Sequence, residues 1–286
     1  MKLIFSRKGV DSSSGGFASP VFPDRTLLSI PIPDPRSSVR YRDIETPVPN
    51  AGRFSKLVSD LSKGKLTGAS RVHVDPDLDR QSLPRPRGWQ SLFGQCGAAQ
   101  SHLQSHAVGE GDIFLFFGWF RQVESYRRRW RYVAGTPDQH VIYGWMQVQS
   151  VHTVEELTRS GKPGWMLYHP HCLAEFSGSN VIYRAGSQLM LDGSPVAPGA
   201  GVFKRYRPEL CLTQDGSSRS HWQLPLWMHP QGRESTLSYH NDLKRWQRED
   251  QYTLLKSVAR GQEFVLDLEH YPEGISWLRQ LISCGM

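Results

Sequence analysis

Strand-like apolar runs dominate this chain from Gly111 onward, and they constrain its fold more than any other feature. Ile113 to Phe120 and Val141 to Val148 lead the set, followed by Trp130 to Ala134, Val181 to Ala185, Phe203 to Leu212 and Phe264 to Leu268. β-Branched and aromatic residues in short runs bounded by Gly, Pro and Asp are what strands require. Helical patterns are fewer: Phe54 to Leu61, Ala98 to His106, Val154 to Ser160, Leu237 to Arg248 and Ile275 to Ile282. Residues 80–90 and 192–201, rich in Gly and Pro, predict long loops. No internal repeat or low-complexity tract divides the chain. The expectation is one α+β domain, 1–286, with a β-rich mixed sheet or partial barrel. Residues 1–110 then carry the ligand and catalytic loops, and 111–286 form the β-rich body.

With 286 residues, 38% of them hydrophobic, the chain can bury a large core. Thirty-four Lys and Arg against 27 Asp and Glu give +7, a balance that favours a polyanionic partner. The N-terminus offers only Leu3, Ile4 and Phe5 before Ser6-Arg7-Lys8, far short of a signal peptide, and no later run approaches a membrane span. A cytoplasmic protein without membrane contact, and a monomer, is expected. Cys96, Cys172, Cys211 and Cys284 stand far apart with no C-x-x-C pair, which argues against a disulfide scaffold and a cysteine-rich zinc site.

The N-terminal strand candidate Lys2 to Ser6 runs straight into Arg7-Lys8-Gly9-Val-Asp11-Ser12-Ser13-Ser14-Gly15-Gly16. Glycines let backbone amides approach a ligand closely, Arg and Lys suit phosphate, and Asp11 sets a carboxylate beside them. The same residues also fit a solvated Gly/Ser turn. This segment continues to Ser19-Pro20, then to Leu27-Leu-Ser-Ile-Pro-Ile-Pro33-Asp34. It resembles the opening of the third nucleotide-modification-associated domain family. Later blocks resemble that family in the same order: Val72-His73-Val74-Asp75-Pro76-Asp77-Leu78, Phe93 to Gln100, Gly111 to Arg121 and Gly261 to Asp267. The resemblance covers most of the chain and implies processing of unusual nucleobases in nucleic acid, often in phage and phage-defence settings. A looser similarity is to antiphage DNA glycosylases that excise modified bases. The block from Gly111 through Val148 also resembles the paired barrel strands of the PUA and EVE groups, domains that hold flipped bases.

Alternation along Val72 to Asp77 places His73, Asp75 and Asp77 on one side of a short strand. Neighbouring carboxylates can divide acid and base roles, and an anionic carboxylate stabilises the oxocarbenium-like sugar of N-glycosidic cleavage. An Asp-Pro turn of purely structural purpose fits as well. A metal site built from Asp75, Asp77 and Asp79 lacks the glycine and distal Glu of an EF-hand loop. Phe93 to Gln100 reads as a Gly-containing loop opening a helix, with Gln95 and Gln100 able to read a base edge or, equally, with small residues chosen for packing. Arg121, Arg127, Arg128, Arg129, Trp130 and Arg131 interleave cations with aromatics, which suits DNA backbone and base stacking or a solvated hairpin. His169-Pro-His171 fits the lining of a pocket or, more commonly for such residues, core packing.

Together these readings describe an enzyme that binds DNA, flips a modified base into a pocket and cleaves its N-glycosidic bond. Asp11 and Asp75, assisted by Asp77, are the expected catalytic carboxylates. Arg7, Lys8, Ser12, Ser13, Gly15 and Gly16 are expected to hold phosphate, and His73, Gln95 and Gln100 to contact the substrate. No metal and no redox or nucleotide cofactor is expected. A transferase acting on a base or nucleotide, and a non-catalytic reader of modified DNA, use the same residues.

Overall fold

The computed structural model describes residues 1–259 and 261–283. Cys284 therefore lies outside the described residues. The architecture is α+β, with a large mixed sheet and no closed barrel. Its main path runs Glu263–Asp267, Lys2–Arg7, Ile113–Tyr126, Gln139–Thr153, Asn180–Ala185, Leu92–Cys96. Only the second and third strands of this path are parallel, with Leu3 opposite Ile113 and Arg7 opposite Phe117. The other pairings on the path are antiparallel.

The longest strands grow from the apolar runs. Ile113 to Phe117 and Phe120 are all buried, so this strand is covered on both faces, and the run is continuous where a half-exposed strand would alternate. Phe117 packs edge-on against Trp222 at 5.1 Å between ring centres. A second apolar cluster gathers Val10, Phe22, Ile30, Tyr41 and the helix Phe54–Leu61 beneath the N-terminal loops. That helix buries Phe54, Leu57, Val58 and Leu61, the i, i+3, i+4, i+7 stripe. No helix among the described residues is long and apolar enough to cross a membrane.

Two expected elements do not form. Phe203 to Leu212 is not a continuous strand: it makes isolated bridges and a short 3-10 turn, Pro208–Leu210, because Pro208 and a charged stretch interrupt its pairing. Leu237 to Arg248 is not a helix. Tyr239 takes a left-handed backbone (φ 66°), Asp242 caps a single 3-10 turn through the Lys244 amide, and Trp246–Arg248 pairs as a strand. The other expected helices and strands form with ends displaced by a few residues, but 192–201, expected as a loop, carries the strands Ser194–Pro198 and Ala200–Val202, which pair with Gln188–Leu191 and Gln139–Thr153.

Candidate functional site

The site is assembled around Asp75 from four separated segments. Ile32–Pro33 pairs with Val72–His73, which sets Asp34 beside His73. Asp34 Oδ2 lies 3.0 Å from His73 Nδ1, and Arg36 clasps Asp34 through its backbone amide, its Nε (3.0 Å) and Nη2 (3.1 Å). Burial alone would raise the Asp34 carboxyl, but these donors pull it down to about 2. Asp34 is thus an ionised acceptor that orients the His73 ring.

Asp75 follows two residues later. Its Oδ1 accepts the Gly94 amide at 2.7 Å, across from the strand Leu92–Cys96. His73 Nε2 and His171 Nε2 each stand 3.9 Å from its Oδ2, and His169 Nε2 stands 3.3 Å from Oδ1. The Asp75 side chain is 5% exposed. Burial opposes its ionisation, yet in acid, where the neighbouring imidazoles are protonated, their proximity and charge hold it below the usual carboxylate range. Burial lowers His73, and lowers His171 to about 4, so both rings are neutral near pH 7. An ionised carboxylate among neutral imidazoles results.

The histidines come from the short helix Pro170–Leu173 and the residue before it. His171 Nδ1 is 2.6 Å from Asn180 Oδ1, and Asn180 Nδ2 returns a bond to the His171 carbonyl. Phe176 stacks on the His171 ring at 4.4 Å, and the half-exposed Arg36 lies over Phe176. Gly94 leaves room for this arrangement: a Cβ there would meet the His171 ring at 2.4 Å. Only a hydrogen at that position lets the sheet and the histidine meet.

Asp75 also borders an apolar pocket lined by Leu27, Ser29, Phe54, Tyr143 and Phe203. Gly9 reaches this pocket with φ +80°, and a Cβ there would strike Ser29 Oγ at 2.9 Å. The N-terminal loop is therefore joined to the pocket through Gly9, and its neighbour Lys8 faces inward. Lys8 Nζ pairs with Glu263 at 2.9 Å and lies over Phe93, while Gln95 Nε2 donates to the same Glu263 oxygen at 2.6 Å. Glu263 Oε2 is buried without a partner.

The other expected site residues divide. Asp11 is not brought to Asp75: its Oδ1 accepts the Ser13 and Ser14 amides and the Ser13 hydroxyl at 2.7–2.8 Å, closing its own turn. Ser12, Ser13 and Gly16 are exposed on that turn, Gly15 shapes it with φ +97°, and Arg7 donates to the Ala259 carbonyl. Asp77 turns away into a bidentate pair with Arg85, which occupies both its oxygens. Gln95 is held by Glu263 and the Cys96 amide, and Gln100 accepts the Tyr183 hydroxyl in the interior. Both amide atoms of Gln95 are engaged, and Gln100 is buried. His169 and His171, for which the sequence favours core packing, are the members missed. Their only sequence signal was two histidines flanking a proline. Cys96, Cys172 and Cys211 are free thiols.

Because the Lys8–Glu263 pair is internal, with side chains 11% and 1% exposed, removing one charge strands the other. Lys8→Ala is expected to destabilise the protein by about 3–5 kcal/mol. Lys8→Met combined with Glu263→Gln should recover much of that loss. Urea unfolding midpoints read both; a Lys8→Ala midpoint equal to wild type contradicts the structural role.

The basic segment is a hairpin between Ile113–Tyr126 and Arg129–Tyr132, and Arg127 and Arg128 both have positive φ at its tight two-residue turn. Arg127, Arg128 and Arg129 are exposed, and Arg131 stacks over the half-exposed Tyr126. Trp130 instead packs edge-on against Phe22 at 4.7 Å, and its amide bonds Asp60. Arg121 lies over Tyr132 and bonds Thr136 and Val133. Tyr126 is thus the aromatic available for stacking. If this hairpin meets DNA, replacing Arg127, Arg128 and Arg129 with alanine should reduce the slope of log K against log salt by up to about three. An unaltered slope moves the phosphate contacts elsewhere.

The site thus combines Asp75, which borders the pocket, with the imidazoles that face it, and the Gly9 end of the N-terminal loop. The family profile described as nucleotide modification associated domain 3 matches residues 2–267, and the chain belongs to that family. No curated protein matches the chain, and no solved structure does.

Proposed function

We propose that this protein hydrolyses the N-glycosidic bond of a modified base in DNA, such as a hypermodified phage base, and serves in defence against phage. The observation that carries the reading is the ionised Asp75, which faces His73, His169 and His171 and itself borders an apolar pocket. A module that only reads a base gains nothing from burying a charge there, whereas hydrolysis needs a group that positions and deprotonates water. Water held at this centre gives up a proton, and its oxygen bonds to C1′ of the sugar. The C1′–N bond breaks with its electrons on the base, which takes up a proton and leaves. An abasic site remains. The family assignment and the Arg-rich hairpin support a nucleic-acid substrate.

The test incubates purified protein with unmodified DNA and with hypermodified phage DNA, then breaks abasic sites with alkali and identifies released bases by mass spectrometry. Free modified base from the phage DNA alone is the expected result. A new nucleoside mass that requires an added donor would replace this reading with a transferase, and tight binding without product would replace it with a reader.

A further inference from the structure

We propose that His73, Asp75 and His171 form the donor set of a site for a divalent transition-metal ion, with His169 as a third imidazole 3.3 Å from Asp75. The three donor atoms lie within 4.8 Å of one another, and His73 Nε2 and His171 Nε2 are each 3.9 Å from Asp75 Oδ2. An ion with bonds of about 2.1 Å holds tetrahedral ligands about 3.4 Å apart, so small side-chain rotations close the set.

The surroundings are those of metal ligands, with each ring's tautomer set by its remote nitrogen. His73 Nδ1 faces the ionised Asp34 and His171 Nδ1 faces the Asn180 carbonyl oxygen, so both carry their proton there. That leaves an unprotonated Nε2 on each ring beside Asp75. Among the described residues no hydrogen bond reaches either Nε2, so both lone pairs are free for an incoming ligand. His169 differs. Its Nδ1 accepts the His171 amide, so its proton is on Nε2, aimed at Asp75 Oδ1 but off the line of a good hydrogen bond. It steadies the carboxylate and leaves a coordination position open for water.

Two imidazoles and one carboxylate suit zinc, iron(II) or manganese better than calcium or magnesium, which prefer oxygen donors alone. The expectation of metal-free chemistry rested on scattered cysteines and a missing EF-hand glycine, neither of which bears on a histidine site. Where the hydrolase reading holds, the ion lowers the pKa of the water that the centre delivers. The site itself is argued from the donors, independently of that reading.

The test uses the full chain, stripped with a chelator, dialysed and titrated with Co2+ while visible absorption and calorimetry are followed. One ion per chain with a ligand-field spectrum is expected. His171→Ala and Asp75→Asn should each weaken binding at least about a hundredfold, and Asn180→Ala, outside the donor set, by about tenfold or more. His152→Ala, at a histidine bonded to Ser150, should leave affinity unchanged. Circular dichroism checks folding, and Asn180→Ala keeps the test decisive if His171→Ala does not fold. Wild-type protein that binds no Co2+, or variants that bind as wild type does, would overturn the site. Base release is scored separately: an ion bound without release supports the site and removes the hydrolase reading, while undiminished release by metal-free protein overturns a metal role in the reaction.

Discussion

Asp75→Asn should lower turnover of a modified-DNA substrate by a hundredfold or more, at least about 2.7 kcal/mol in the barrier, while the fold persists. Asparagine keeps an oxygen for the Gly94 amide but not the negative charge that faces three imidazoles. The companion variant Asp11→Asn should stay within a few-fold of wild type, since an asparagine oxygen can still accept the Ser13 and Ser14 amides. Single-turnover rates, together with melting temperatures, read both. Equal rates for Asp75→Asn and wild type would remove this centre from the chemistry, and a deep loss in Asp11→Asn would restore the N-terminal turn as a participant.

The second large effect concerns acid. His140 and His240 are buried and neutral, with burial lowering them to about 3 and about 4. Each uses its unprotonated nitrogen as an acceptor: His140 Nδ1 takes the Trp222 indole N–H at 3.0 Å, and His240 Nε2 takes the Val258 amide at 3.2 Å. Protonation loses those bonds and buries a charge. Their folded pKa values lie below the unfolded value near 6.5, so the unfolded chain binds more protons and stability rises with pH across that window. It is fully present above about pH 6.5 and falls as pH drops toward 4. Each such group contributes about 1.4 kcal/mol per pH unit near pH 5. Unfolding free energies at pH 7, 6 and 5 measure the slope, and His140→Gln should lower it by about that amount. A flat profile would mean these rings are charged in the native state.

The carboxylate of the site was legible because it lies in one short motif. His73 and Asp75 are two residues apart on a strand, and alternation puts them together. Its histidine partners were not, since His171 reaches Asp75 only through the packing of Pro170–Leu173 against Leu92–Cys96, which local patterning does not encode. Asp77 misled for the opposite reason. It shares the motif, but Arg85, eight residues on, captures it. Gln100 sits at the start of a predicted helix, as expected, yet faces inward to Tyr183. In the body of the fold, continuous apolar runs marked the central strands well, while Leu237 to Arg248 looked helical by composition and was broken by the left-handed Tyr239.

The edge strand Glu263–Asp267 has a consequence in time as well as in space. Among the described residues, 2–6 have antiparallel partners only in 263–267, and Lys8 and Gln95 share the Glu263 carboxylate. Pairings this distant in sequence pay their loop-closure cost before any contact rewards it. During synthesis, then, the N-terminal strand and the loop beside the pocket stay unfinished until residue 267 has left the ribosome. A partial chain therefore lacks the strand that pairs with its own N-terminal strand and the carboxylate that holds Lys8.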